Sequence, residues 1–282
     1  MSTITSIAGS DRVTDSRSVI NTNFSNLNTD KAEVTGNVAT ATALQTARTI
    51  NGVSFDGTAN IKVASTLRKN LVLHLPFDFA CLAADDSNTR GATTISGATF
   101  EPTGGPDGDG DYSFNGTTDY IDTTHNANQL LVNGFSLSVW INVAGAGETA
   151  GGITGSRILD KSTANTAAGG FALILDSSGT GIRFSVNNGG TISASSTVTG
   201  STWTHVLVTV SSAAAVTIYV NGSSVATGTT GALSGITTTN AIRVGNRAGA
   251  TDKSFQGKIA KVRAYARVLT AAEIAELYTN QL

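Results

Sequence analysis

FSLSVWINV, residues 135–143, alternates apolar with small or polar residues at the two-residue period of a β-strand. The same reading recurs along the chain in GFALILD (170–176), GIRFSVN (181–187), THVLVTVS (204–211), AVTIYVNG (215–222), AIRVGN (241–246) and KIAKVRAYA (258–266). Turn residues separate these runs at roughly even spacing, which is the pattern of an antiparallel sandwich, and clean alternation predicts one buried and one exposed face per strand. Asn221-Gly222 after IYV supplies the positive-φ pair of a two-residue type I′ hairpin that returns the chain into SSVATG. A helix beginning at Leu269 closes the pattern, with Thr270 as cap and Glu273 three residues on as its capping-box partner.

At 282 residues the chain has room for one large β-domain and a short accessory segment. Hydrophobic residues make up 40% and charged residues only 13% of it, about half the usual share, with net charge −2. No clustered Lys and Arg mark a nucleic-acid or anionic-membrane surface, so neither partner is expected. The N-terminus MSTITSIAGSDR lacks a basic region followed by a long apolar core, and no run reaches about 18 apolar residues, so neither secretion by that route nor membrane insertion is expected. Cys81, the single cysteine, has no intrachain partner and reads as a buried, inert thiol.

Upstream, TDSRSVINTNFSNLN (14–28) places Ile20, Phe24 and Leu27 at helical spacing. Such a short helix is marginal alone and is expected to pack on a partner chain or docking site. Residues 36–63 change to alternating small and apolar residues with turn signals at Asn51-Gly52 and Asp56-Gly57, predicting two or three short strands. Within them, Leu44-Gln45-x-Ala47-Arg48-x-Ile50-Asn51-Gly52-Val53-x-Phe55-Asp56-Gly57 closely resembles a motif of tailed-phage fibre proteins, where it belongs to the shaft or base of a trimeric fibre. The few large apolar residues here cannot form a core alone, and three identical chains around an axis would bury them. A homotrimer is therefore expected, with residues 1–66 as virion-attachment and trimerisation segment and 67–282 as the sandwich.

The larger part resembles the laminin-G-like, concanavalin A-type jelly roll over roughly residues 70–280. The resemblance rests on Leu71 to Phe77, Tyr112-x-Phe114-Asn115-Gly116-x-x-Asp119-Tyr120-Ile121, Phe135 to Trp140, Trp203-x-His205-Val206, Ile218 to Gly222, and a closing phrase from Phe255 through Lys258-Ile259 and Val262-Arg263 to Glu273-Ile274. It implies a mainly β fold, an antiparallel jelly-roll sandwich, here preceded by the small helix-plus-strand oligomerisation segment. Many such jelly rolls bind Ca²⁺ near an early Asp-rich turn, which here would hold Asp78, Asp85 and Asp86. Ca²⁺ is the one cofactor the resemblance suggests. Against it, the family's Ile-Asp-Glu-Val-Arg phrase reads Ile259-Ala260-Lys261-Val262-Arg263 in this chain, with both acids gone.

PDGDGDY also offers alternating Asp107, Asp109 and Asp111, but Tyr112 and Thr118 occupy the EF-hand's Gly and Glu places, so only a looser site is conceivable. Trp140 and Trp203 read as core anchors, with a sugar-stacking platform as the alternative use of such rings; His74 and His205 read as structural. The five glutamates, Glu33, Glu101, Glu148, Glu273 and Glu276, form no pair on a strand of the kind a glycosidase needs, so no catalytic residues and no enzyme are expected. Long, Gly-rich polar loops at the rim of a rigid sandwich are where binding resides. Asn188, Asn246, Arg247 and Asp252 are the candidate sugar ligands. Together these features predict a virion fibre protein whose jelly roll adheres to a host surface glycan, the alternative being a structural head or tail decoration protein with weak surface binding.

Overall fold

The computed structural model describes residues 16–27, 48–50, 53–55, 66–77, 93–123, 126, 128–131, 133–148 and 153–280. It divides into two compact units, Met1–Ser65 and Thr66–Leu282. In the first, helix α1 spans residues 16–27 and leaves Phe24 67% and Leu27 57% exposed. The predicted apolar stripe is thus present, with Phe24 and Leu27 exposed among the described residues. Strands β1 (Arg48–Ile50) and β2 (Val53–Phe55) pair antiparallel across Asn51-Gly52, with Ile50 opposite Val53. The rest of the expected fibre motif lies outside the described residues.

The second unit runs β3 (Leu71–Leu75), β4 (Thr93–Ser96), β5 (Thr99–Glu101), β6 (Asp111–Asn115), β7 (Tyr120–Thr123), α2 (Asn128–Leu131), β8 (Gly134–Gly145), β9 (Ser156–Lys161), β10 (Phe171–Leu175) and β11 (Ile182–Val186). It continues with β12 (Ile192–Ala194), β13 (Trp203–Ser211), β14 (Ala215–Val220), β15 (Ser223–Thr229), β16 (Arg243–Val244), β17 (Gln256–Tyr265) and α3 (Ala271–Thr279). One sheet has the order β12-β11-β10-β9-β16-β7-β4. The other has the order β15-β14-β13-β8-β17-β6-β5, with β3 also on β17. Every pairing is antiparallel, and the non-consecutive neighbours are the crossovers of a jelly roll.

Between the sheets lies a core in which Phe135, Leu137, Val139, Ile141 and Val143 of β8 meet Phe171, Leu173, Phe184 and Val186 from the opposite side. Burying these side chains, at about 25 cal/mol per Å² of apolar surface, is the main drive for the sandwich. The expected hairpin forms, with Asn221 at φ 50° and Gly222 at φ 76° joining β14 to β15. The expectation of one exposed face fails for β8, β10, β13 and most of β17. Ser136, Ser138 and Trp140, on the other side of β8, are also buried, because α3 lies over them. Its Ile274 and Leu277 pack with Leu207, Tyr265 and Leu269 as a second apolar cluster. On β14, by contrast, buried Val216, Ile218 and Val220 alternate with exposed or half-buried neighbours as predicted.

Helix α3 starts where the sequence places it. Thr270 Oγ1 accepts the Glu273 N–H, and the Glu273 carboxylate accepts the Thr270 N–H at 2.9 Å while binding Arg267 at 2.7 and 2.8 Å. Substituting Thr270→Ala should cost about 1 kcal/mol, read as a lower urea midpoint at unchanged slope.

Candidate functional site

Trp203 opens β13 and is half-buried, whereas Trp140 in the middle of β8 is 3% exposed. The two rings, together with Asn221, Tyr278, Thr279 and Pro106, line a cleft of about 400 Å³. Each wall comes from a different element. Asn221 stands at the tip of the β14–β15 hairpin, where its Oδ1 accepts the His205 N–H at 2.9 Å and its own N–H donates to the His205 carbonyl. Tyr278, 38% exposed on the last turn of α3, lies flat over Trp140 and over His205, with ring centroids 5.9 and 6.2 Å away. Gly222 makes that approach possible, since a Cβ there would sit 3.1 Å from the tyrosine ring.

Pro106 enters from the loop before β6, and Lys261 holds that loop down. A bulge in β17 puts Lys261 at φ 50°, and its Nζ reaches Asp107 at 2.9 Å. Two of the alternating carboxylates, Asp107 and Asp109, face Lys261 Nζ at 2.9 and 4.0 Å, while Asp111 stands apart near Lys258. Asp107 is bound to Lys261, while buried Asp111 accepts the Gly105 N–H at 2.8 Å and its burial raises its pKa. The residue that replaces a family acid therefore supplies the cation, and Asp107, Asp109 and Asp111 do not fit Ca²⁺. Among the described residues no three His, Cys, Asp or Glu side chains cluster for a metal. Asp78, Asp85, Asp86 and Cys81 lie outside the described residues.

Among the described residues two buried ring nitrogens beneath Tyr278, Trp140 Nε1 and His205 Nδ1, have no hydrogen-bond partner. His205 is fully buried, its Nε2 is 2.9 Å from Ser138 Oγ, and burial with help from the Arg263 charge lowers its pKa to about 3. It is a neutral structural histidine, as expected. Trp140 is buried as a core anchor should be, but beneath α3 rather than between the sheets. Trp203 is not a core anchor: it stands at the rim.

The loop candidates are placed elsewhere on the jelly roll. Asn246 is wholly buried, donating to Ser254 Oγ at 3.0 Å and accepting the Arg247 N–H at 2.7 Å. Arg247 and Asp252 grip each other in a bidentate pair at 2.5 and 3.0 Å, a hydrogen-bonded contact that raises the pKa of the arginine and lowers that of the acid. A ligand would have to compete with that pair. Asn188 is exposed in the β11–β12 turn and accepts a hydrogen bond from Thr166. The structure thus brings Asn246, Arg247 and Asp252 into one loop, and bonds Asn188 to a different one. Of the glutamates, Glu101 is bound to Lys258 at 2.7 Å and Glu273 to Arg267, while Glu33 lies outside the described residues.

The family model described as the concanavalin A-like lectin/glucanases superfamily matches residues 115–275. The chain belongs to this superfamily. No curated protein sequence matches it. Among solved structures, the binding domain of botulinum neurotoxin DC in complex with rat synaptotagmin II superposes with TM-score 0.60 at 18% identity, covering 77% of this chain and 53% of that one. A structure of botulinum neurotoxin type C, whose cell entry is described as dependent upon interaction with two ganglioside molecules, gives 0.59 at 19% identity, with the same coverage. Domain 4 of the GH43 extracellular arabinanase AbnA from Geobacillus stearothermophilus, in complex with arabinotriose, gives 0.53 at 20% identity, covering 74% of this chain and 98% of that domain. The chain spans about half the length of the neurotoxin structures it matches, and at these identities the likeness is one of fold.

Proposed function

We propose that this superfamily member is a non-catalytic adhesion protein on the exterior of a tailed-phage virion, a fibre or spike whose jelly roll attaches to a host surface glycan. The observation that carries the reading is the aromatic-walled cleft at the rim of the sandwich. Flat rings with neighbouring amide and hydroxyl groups are what a sugar needs, an apolar face to stack on and donors and acceptors around it. The comparisons support it at the level of fold, since the matched structures include receptor-binding toxin domains and a domain solved with arabinotriose. The fibre motif at Leu44 to Gly57 supports the virion setting. Exposed Phe24 and Leu27 on α1 support assembly as a homotrimer with residues 1–66 as the attachment segment, because an uncovered apolar stripe is stable only when a partner buries it.

The test is to apply the purified full chain to a glycan array and to host cells, with Ca²⁺ or with EDTA, after measuring its mass by sedimentation. Saturable, selective binding by a particle of three chains is the expected result. A trimer that binds neither glycans nor cells would replace adhesion with virion decoration. Loss of binding in EDTA would bring Asp78, Asp85 and Asp86 into the site.

A further inference from the structure

We infer that the Trp203–Tyr278 cleft, rather than the Gly-rich loops, is the glycan site, and that it takes an uncharged pyranose. This deepens the adhesion reading and rests on it. Three observations carry the inference. The cleft volume, about 400 Å³, is at the small end of ligand pockets, which run from roughly 300 to 1,000 Å³, and suits one or two terminal sugar rings better than a long chain. Its lining residues, Pro106, Trp140, Trp203, Asn221, Tyr278 and Thr279, carry no charge. A sialic acid or uronic acid would enter without a counter-ion and lose hydration for nothing in return. The neighbouring carboxylate, Asp107, is already matched by Lys261 and offers an anion only repulsion.

The third observation is the aromatic lining: half-buried Trp203 and 38% exposed Tyr278 present ring surface to the cleft, the apolar platform on which a pyranose stacks. Asn221 adds a side-chain amide, with its Nδ2 available as a donor while its Oδ1 is held by the His205 N–H. The loop residues offer less, because Asn246 is buried and Arg247 and Asp252 are bonded to each other.

The protein has only two tryptophans, and both line this cleft, so intrinsic fluorescence reports on it alone. The full chain is titrated with methyl glycosides of neutral hexoses and of N-acetylhexosamines, and with methyl sialoside and methyl glucuronoside. A saturable fluorescence change with one or more neutral glycosides, and none with the acidic ones, is expected. Trp203→Ala and Tyr278→Ala should each weaken binding by at least about tenfold. Arg247→Ala and Asn188→Ala should leave it within about twofold. Because Trp203 and Tyr278 are partly exposed, these variants are expected to keep the wild-type urea midpoint within experimental scatter. Binding that survives Trp203→Ala and Tyr278→Ala but fails in the loop variants would overturn the cleft and leave the adhesion reading standing. Preference for the acidic glycosides would overturn the choice of ligand. Absence of any glycan binding, on the array or in titration, would end both.

Discussion

Replacing Arg157 with methionine is expected to destabilise the jelly roll by about 3–5 kcal/mol, the usual consequence of stranding one charge of a buried pair. Arg157 and Asp160 are both fully buried on β9, 3.0 Å apart. Arg157 also donates to the Asn165 carbonyl at 2.8 Å and, more weakly, to those of Ile153 and Gly155. The Asp160 carboxylate in turn accepts the Ser162 N–H and hydroxyl at 2.9 and 2.8 Å and the Ala248 N–H at 3.1 Å. One ion pair therefore fastens two surface loops, 162–170 and 246–254, onto the outer face of the seven-stranded sheet. Methionine fills much of the arginine's volume but leaves the carboxylate with only neutral donors. Urea unfolding of the full chain, followed by far-ultraviolet circular dichroism of the β-rich unit, measures the loss. The mechanism is separable from mere repacking. Asp160→Asn keeps an acceptor for Ser162 and Ala248 while removing the charge, so Arg157→Met/Asp160→Asn should recover more than about 1 kcal/mol relative to Arg157→Met. A double variant no more stable than Arg157→Met would show that the arginine matters for its packing and backbone contacts, not for neutralising Asp160.

The parts of this architecture that follow from short-range chemistry were legible in the sequence. Alternation found β8, β10, β11, β13, β14 and β17 but not the central β9 or the short strands β4, β5, β7 and β12, while Asn-Gly found the β14–β15 turn and Thr270 with Glu273 the start of α3. AIRVGN was read as a six-residue strand, whereas only Arg243–Val244 pairs, because Asn246 and Arg247 turn away into their own loop bonds. The cleft was only half legible. Both tryptophans were noticed, with sugar stacking as the alternative to a core role, but what separates Trp203 from Trp140 is how far α3 reaches along the face they share, since Trp203 pairs with Asn142, two residues beyond the ring that Tyr278 covers. Alternation within one strand does not encode that, since it depends on a helix more than 60 residues downstream. Tyr278 drew no attention because it follows the helix's buried Leu277 and looks like one more apolar position. Its place four residues after Ile274 and close to the polar end of the helix was the available signal. The Asp-rich loop was misleading for a related reason. Alternating carboxylates suggest a cation, and the cation turned out to be Lys261, about 150 residues away in sequence and aimed by a bulge that no local pattern announces.

Acidification offers the second large effect, and it acts on the buried ring of His205 that lies against Trp140 and Tyr278. His205 is neutral in the fold, its pKa lowered to about 3 first by burial and then by the like charge of Arg263. In the unfolded chain it titrates near 6.5, so below that pH the unfolded state binds a proton that the folded state refuses. The stability that depends on neutral His205 is therefore complete above about pH 7, declines as pH falls through 6.5, and is lost by about pH 3. The full span corresponds to roughly 4–5 kcal/mol, of which about 2 kcal/mol is lost by pH 5. Carboxylates titrate in the same range, so wild type alone would not isolate the histidine. His205→Gln retains a group able to meet Ser138 Oγ but has no such proton equilibrium. The stability difference between wild type and this variant should shift in the variant's favour by about 2 kcal/mol between pH 7 and pH 5, measured by urea unfolding with tryptophan fluorescence. A difference that stays constant with pH would mean that His205 is not held neutral beneath Tyr278. Because His205 donates its N–H to Asn221 and lies against Trp140, ligand binding in the cleft should persist on acidification until the fold itself is lost. Protonation of this histidine thus couples to binding only through global stability, as expected for a side chain that supports the site from below without reaching the ligand.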